Sequence, residues 1–150
     1  MKYEFTETRE FFGRTLRRIK AASDFGNVRA GDLGGWIEKE ENLSQSGDCW
    51  VCGDAQVWGD AQVWGSARVC GENHVLWISP IGSRNDTVTF MRTKDHKIAV
   101  STGCFLGSVV EFEKAVAETH GNNKHAQAYK LAIQLAKLRI DLSEEESEDE

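Results

Sequence analysis

The chain has 150 residues, 40% of them hydrophobic, which is enough for one domain with a core, or one domain with a small appendage. It contains no run of about eighteen apolar residues, which argues against a membrane-spanning helix. The first residues, MKYEFTETRE, lack the apolar stretch of a signal peptide, so we expect a cytoplasmic protein.

Residues 1–40 predict a β cap with several extended pieces. Basic residues cluster in the second piece, where they form either a solvated strand face or a site for an anion. The pieces are 2–5, 14–21 and 28–37, and the basic residues are Arg14, Arg17, Arg18 and Lys20.

A six-residue repeat, GDCWVC, GDAQVW, GDAQVW, GSARVC and GENHVL, fills residues 47–76. Such a short fixed period is typical of a parallel β-helix, and the looser hexad ENLSQS extends it to 41–76. The hexads are similar to those of hexapeptide acyltransferases. This resemblance implies a left-handed helix in which each residue stacks on the residue three hexads later, so that 41–76 would form two coils.

Side chains alternate along short strands, so the third and fifth places of each hexad are expected to face inward. Small and medium residues fill them: Ala55, Val57, Ala61, Val63, Ala67 and Val69. Trp50, Trp58 and Trp64 would face outward, with Arg68 stacked over Trp50. Tryptophans in a row are typical of a covered surface, so we predict an interface at these four residues. The rest of the chain, a second subunit of a homo-oligomer, or a ligand would cover it.

The motif Cys49-x-x-Cys52 resembles half of a zinc or redox site. The two cysteines occupy alternate places of the repeat, however, and are expected to point in opposite directions, so we predict no metal site and no cofactor. Cys52 would stack under Cys70 with α-carbons about 4.8 Å apart, which a disulfide can bridge. In a reducing cytosol we expect free thiols.

Residues 77–142 predict a small α+β unit that ends in two helices. A capping box from Ser108 to Glu111 begins the first helix, and Gly121 ends it. The second helix is expected over about 124–140. Strands are expected at 75–79, 87–92 and 97–102; the second helix would bury Tyr129, Ile133, Ala136 and Ile140, with Leu131, Leu135 and Leu138 widening this face. The expected fold class is therefore mainly β: a short left-handed parallel β-helix with an N-terminal β cap and a small C-terminal α+β unit.

The net charge of −6 comes from the segment 143–150, SEEESEDE, which holds six acids. Such a block of like charges predicts a disordered acidic tail. The tail either aids solubility or mimics nucleic acid to attract a basic partner. Without it, acidic and basic residues are equal in number, so we do not expect this protein to bind nucleic acid.

Polar and basic residues after the repeat form a candidate ligand site. Arg84, in a Gly-Ser-Arg-Asn turn, and Arg92 suit bidentate binding of phosphate. Asn122, between the helices, suits an anion at a helix N-terminus. Each residue also has an ordinary explanation, as a surface arginine, a cap or a histidine at a helix C-terminus. The predicted ligand-binding residues are Ser83, Arg84, Arg92, Lys94, His120 and Asn122.

No catalytic residue is predicted. Cys104 is expected at a buried strand end rather than as a nucleophile, and the sequence contains no HExxH motif. Hexapeptide acyltransferases use a histidine base, and His74 is the one histidine of the repeat. Those enzymes have more coils than 41–76 provides.

Several motifs, in order, resemble a group of uncharacterised proteins common in bacteriophages and prophages. The resemblance covers most of 14–140, transfers no catalytic residues, and implies the cytoplasm of a host cell as the location. The motifs are GDLGGWIEKEENLS, the hexads, WISPIGSR, TFMRTKD, GCFLG and ETHGNNKH.

Two functions of different classes follow. The first is a non-enzymatic phage-type binding protein that sequesters a small phosphorylated, nucleotide-like signal of host defence as an oligomer. The second is a structural or oligomerisation module that docks a host protein. Acyl transfer of the hexapeptide type is a further alternative, so the sequence leaves open whether the chain is an enzyme.

Overall fold

The computed structural model describes residues 1–103 and 105–143. Cys104 and the predicted acidic tail beyond Ser143 lie outside the described residues. The chain divides into two compact units, Met1–Glu72 and Asn73–Glu150, which we call unit 1 and unit 2. The borders inferred from the sequence at residues 40, 76 and 142 stay predictions.

Unit 1 is built from short and long strands. They are β1 (Tyr3–Phe11), β2 (Arg14–Ala21), β3 (Leu33–Ile37), β4 (Trp50–Val51), β5 (Gln56–Val57) and β6 (Arg68–Val69). β1 pairs with β2, and β2 with β3, in antiparallel fashion. β5 then joins β3 in parallel, which gives a mixed four-stranded sheet of order β1-β2-β3-β5. β4 and β6 form a separate parallel pair.

The prediction of a short left-handed parallel β-helix over 41–76 is wrong. In the described part of the chain, the hexads contribute one strand to a mixed sheet and two strands to a parallel pair, and no β-helix is evident. The physical reason is strand pairing: β5 pairs with β3, which belongs to the N-terminal segment and pairs on its other side with the long strand β2. The longer strands build a sheet with β3, and β5 is added to its edge.

Local features of the repeat are nevertheless present. Trp50 pairs with Arg68, and Val51 with Val69, as stacking three hexads apart predicts. The alanines and valines expected to face inward are buried, each at most 3% exposed. Burial of these small side chains makes the hexads part of the core of unit 1.

β3 lies very close to the hexads because it contains two consecutive glycines. A β-carbon added to Gly34 would lie 2.6 Å from the Val51 carbonyl oxygen and 2.7 Å from Cζ2 of Trp50. A β-carbon added to Gly35 would lie 2.7 Å from the Ala55 carbonyl oxygen. Only glycine fits at both positions, since these distances are far inside van der Waals contact.

A disulfide joins Cys52 to Cys70, with α-carbons 4.5 Å apart. The expectation of free thiols is therefore wrong for this pair. The two residues are separated by 18 positions. Closing a loop of that length stabilises a fold by about 3 kcal/mol on the chain-entropy estimate.

Unit 2 is an antiparallel sheet with two helices. Its elements are β7 (Val75–Ile81), β8 (Asp86–Arg92), β9 (Ile98–Thr102), β10 (Phe105–Ser108), α1 (Val109–His120) and α2 (Lys124–Arg139). The strand order is β10-β9-β8-β7. Phe112 of α1 links sheet and helices, because its ring lies 6.5 Å from that of Phe90 and 5.2 Å from that of Tyr129. The α+β character expected for this part of the chain is confirmed.

The helix ends follow the sequence signals. Ser108 Oγ accepts a hydrogen bond from the Glu111 backbone N–H at 3.1 Å, and Glu111 Oε1 accepts one from the Ser108 N–H at 2.9 Å. Asn123 caps α2 by accepting from two backbone N–H groups of its first turn. Among the described residues, neither α1 nor α2 has the length and apolar character needed to cross a membrane.

The buried face of α2 is only partly the predicted one. Tyr129, Ile133, Ala136 and Ile140 are at most 8% exposed, as expected. The leucines expected to widen this face do not lie on it. Leu131, Leu135 and Leu138 are 66%, 43% and 83% exposed.

We predict that Gly34→Ala destabilises unit 1 by about 1–3 kcal/mol, because the new methyl group overlaps the Val51 carbonyl and Ile19. Gly71→Ala is the matched control, since no atom lies within 4 Å of a β-carbon built there. Urea unfolding followed by circular dichroism measures both. Equal stabilities of the two variants would show that the close approach of β3 is not needed.

Candidate functional site

The tryptophans of the repeat are covered by other residues of unit 1. Trp50 is 3% exposed and packs edge-on against Tyr3, with ring centroids 6.4 Å apart, and against Phe25, at 5.2 Å. Of the three covers that the sequence allowed, the rest of the chain is the one that covers Trp50. This side chain is therefore not available to a partner.

Trp58, Trp64 and Arg68 are half-buried. The Arg14 guanidinium lies over the Trp58 ring, 4.5 Å from its centroid, and Phe11 packs against the same ring at 6.3 Å. Part of each of the three side chains stays accessible. An interface at these three residues, and self-association through it, stay predictions.

The three arginines of β2, Arg14, Arg17 and Arg18, make side-chain contacts within unit 1. Arg14 donates a hydrogen bond to Glu38 Oε1 at 2.9 Å, and Arg18 donates to a backbone carbonyl of β3 at 3.0 Å. Arg18 and Arg9 also lie over the Trp36 ring, 5.6 Å and 4.0 Å from its centroid. These ion-pair and cation–π contacts favour the structural interpretation of the basic cluster over an anion site.

The Arg92 side chain is buried inside unit 2, where it is 4% exposed. Its Nη1 lies 2.8 Å from His74 Nε2, and its Nη2 lies 3.1 Å from His96 Nδ1. Arginine has no acceptor, so both imidazoles accept these hydrogen bonds. The guanidinium also donates to the carbonyl oxygens of Asp141, at 3.2 Å, and Ser143, at 2.9 Å. Arg92 thereby fixes the segment that follows α2.

The two predicted phosphate-binding arginines do not meet. Ser83 and Arg84 are exposed in the turn before β8, whereas Arg92 ends β8 and Lys94 lies in the turn after it. The seven residues of β8 hold these turns roughly 20 Å apart. Arg84 and Arg92 therefore cannot both bind one phosphate group.

Other predicted ligand residues come together around Tyr129. Its hydroxyl lies against Gly82, in the turn that carries Arg84. The His120 ring stacks on the Tyr129 ring with centroids 6.2 Å apart. Asn122 and Tyr129 line one open cleft of about 200 Å³ between α1 and α2. This cleft is the candidate binding site.

The cleft offers both apolar and polar groups. Val116 and Ile133 supply apolar surface, while Glu113 and Lys130 place opposite charges along it. Burial raises the pKa of Tyr129. A tyrosine hydroxyl is protonated at neutral pH even without this shift, so it can donate a hydrogen bond. The volume is below the roughly 300–1,000 Å³ of drug-sized pockets, which suits a small ligand or one end of a larger ligand.

Metal ligands and cysteine thiols are two kinds of catalytic group that the structure allows us to check. Within 1–103 and 105–143, no three His, Cys, Asp or Glu residues form a group that could hold a metal ion. Burial raises the pKa of the Cys49 thiol, although Lys2 Nζ lies 3.4 Å from its sulfur. A buried, protonated thiol is a poor nucleophile. Cys104, the other thiol considered, lies outside the described residues.

The exposed outer face of α2 differs from the expectation that its leucines widen the buried face. Leu131, Leu135 and Leu138 are spaced by four and three residues, which places them on one side of a helix. The same spacing fits a buried face, so the periodicity alone gave no sign that these leucines are exposed.

Comparison with known proteins gives one short similarity. A stretch of 36 residues is 56% identical to the "Uncharacterized acetyltransferase YdcK" of Escherichia coli (strain K12). The stretch covers 24% of this chain and 11% of that protein. The match agrees with the resemblance of the hexads to acyltransferases, but it covers too little of either chain to assign a family. No family model matches the chain.

We predict that Arg92→Ala destabilises unit 2 by about 2–4 kcal/mol, because two imidazoles and two backbone carbonyls lose a charged donor. Arg84→Ala, in an exposed turn, is the control and should change stability by less than about 0.5 kcal/mol. Thermal unfolding of both variants measures the difference. An unaltered melting temperature for Arg92→Ala would mean that the segment after α2 is held by other contacts.

Proposed function

We propose that the chain is a non-enzymatic binding protein for a small anionic ligand, held at the cleft between α1 and α2. The observation that carries this proposal is the convergence on Tyr129 of three features: the turn of Arg84, the His120 ring and the cleft lined by Asn122. Lys130 lines the cleft, and Arg84 lies in the turn whose Gly82 contacts the Tyr129 hydroxyl. In this proposal, these two residues supply the positive charge that attracts the ligand.

The aromatic groups at this site suit a nucleotide-like ligand. The His120 ring stacks on Tyr129 and lies 5.3 Å from the His125 ring, centroid to centroid. Flat rings beside cations are the groups with which proteins hold a base and a phosphate together. The resemblance to phage and prophage proteins makes sequestration of a phosphorylated signal of host defence the biological form of this proposal.

Acyl transfer has less support. Only a stretch equal to 11% of the E. coli acetyltransferase matches this chain. His74, the one histidine of the repeat, is 7% exposed and accepts a hydrogen bond from Arg92. A buried histidine that already accepts from arginine is poorly placed to take a proton from a substrate.

The test is a calorimetric titration with AMP. Adenosine, which lacks the charged phosphate, is the control ligand. We expect AMP to bind at least about tenfold more tightly than adenosine, because the phosphate meets Arg84 and Lys130. Arg84→Ala and Lys130→Ala should each weaken AMP binding by about fivefold or more.

The matched control is Lys137→Ala, which removes an exposed lysine of α2 that does not line the cleft. This variant should bind AMP like the unaltered protein. Equal binding of AMP and adenosine, or equal weakening by Lys130→Ala and Lys137→Ala, would contradict an anion site at the cleft.

A further inference from the structure

Helix α2 carries a second apolar face that the described residues of unit 2 leave exposed. Leu131, Leu135 and Leu138 are 66%, 43% and 83% exposed. Leu131 and Leu135 each lie two residues from the buried Ile133, about 200° around the helix. The three leucines therefore form a stripe about 10 Å long that points away from the core of unit 2. We call it the leucine stripe.

The lysines and arginine that α2 places beside the leucine stripe all carry positive charge. Lys124, Lys130, Lys137 and Arg139 are the charged residues of α2 apart from His125, and all four are exposed. None of them forms an ion pair with another residue in the described ranges.

Helix geometry places these cations around the stripe. Lys124 is seven residues before Leu131 and lies in line with it. Lys130 and Lys137 each precede a stripe leucine by one residue, and Arg139 follows one, so they flank the stripe about 100° to either side.

We propose that the leucine stripe docks an amphipathic helix of another protein that presents apolar residues to the leucines and acidic residues to the flanking cations. Leucines spaced by four and three residues are the pattern with which one helix packs along another. A partner with Glu or Asp beside its apolar positions would neutralise cations that lack an ion-pair partner within the described residues.

A second copy of α2 is a poor occupant. Pairing two copies would bring eight exposed cations together without a single acid from either helix, which opposes association. The segment 143–150 of this chain, SEEESEDE, carries the right charge but no apolar side chain for the leucines. A helix of a different protein satisfies both requirements.

A membrane surface also fits less well. Helices that lie in a bilayer interface commonly carry Trp or Phe among their apolar residues. The stripe contains only leucine, and the one aromatic residue of α2 besides its histidine, Tyr129, is buried on the opposite side.

The experiment uses the full chain and two synthetic helical peptides. Both peptides carry leucines with heptad spacing; one has glutamate, and the other lysine, at the flanking positions. Fluorescence anisotropy should show that the glutamate peptide binds at least about tenfold more tightly than the lysine peptide. Raising the NaCl concentration from about 0.05 to about 0.5 M should weaken the affinity of the glutamate peptide several-fold.

Two variants locate the binding. The double variant Leu131→Ser/Leu138→Ser should lose at least about tenfold in affinity for the glutamate peptide. Val110→Ser removes another exposed apolar residue, 73% exposed on α1, and should change nothing. Circular dichroism checks that both variants are folded; Leu135→Ala replaces the double variant if it is not.

Four results would overturn this inference. They are no binding of the glutamate peptide, equal binding of both peptides, binding that survives the leucine substitutions, and self-association in sedimentation velocity that the same substitutions abolish. Co-sedimentation with phosphatidylserine vesicles that needs the leucines, without peptide binding, would favour a membrane instead. Binding of AMP at the cleft is measured separately from binding of the peptides at the leucine stripe. Failure of one proposal therefore does not imply failure of the other.

Discussion

The close approach of β3 to the hexads is the constraint on which unit 1 depends. Gly34 and Gly35 remove the side chains that would keep the two backbones apart. The backbone N–H of Trp36 can then donate to the Ala55 carbonyl oxygen at 2.9 Å, and β5 pairs with β3 in parallel. β2 then pairs antiparallel with β3, and β1 pairs antiparallel with β2. Residues of this N-terminal part, such as Tyr3, then cover Trp50.

This arrangement changes where binding is expected. Once Trp50 is buried within unit 1, the repeat no longer offers a continuous row of free tryptophans to a partner or a ligand. The Arg92 guanidinium likewise donates its hydrogen bonds to His74, His96 and the segment after α2. Among the described residues of unit 2, the cleft beside Tyr129 and the leucine stripe are accessible. We propose a small anion for the cleft and an acidic helix for the stripe.

Local signals in the sequence were sufficient for elements whose stability is local. The capping box at Ser108 and the cap at Asn123 define the ends of helices through hydrogen bonds within a few residues. The repeat predicted that the alanines and valines of the hexads are buried, because alternation along a strand is also local. The β-helix prediction failed because sheet order depends on which distant strands pair, and the glycines of β3 were not interpreted as a contact with the hexads. The leucine stripe was missed because α2 has apolar residues on two sides, and periodicity does not show which side meets the core.

Residues of unit 1 itself, Tyr3 and Phe25, cover Trp50 without a second subunit. The most direct measurement is ¹⁹F NMR of protein labelled with 5-fluorotryptophan, with the Trp50 resonance assigned through Trp50→Phe. It is recorded over a wide dilution series, alongside sedimentation velocity. We expect that the Trp50 resonance shows no solvent isotope shift. Its chemical shift should also stay the same on dilution to the monomer. A Trp50 resonance that becomes solvent-exposed as the protein dissociates on dilution would contradict it.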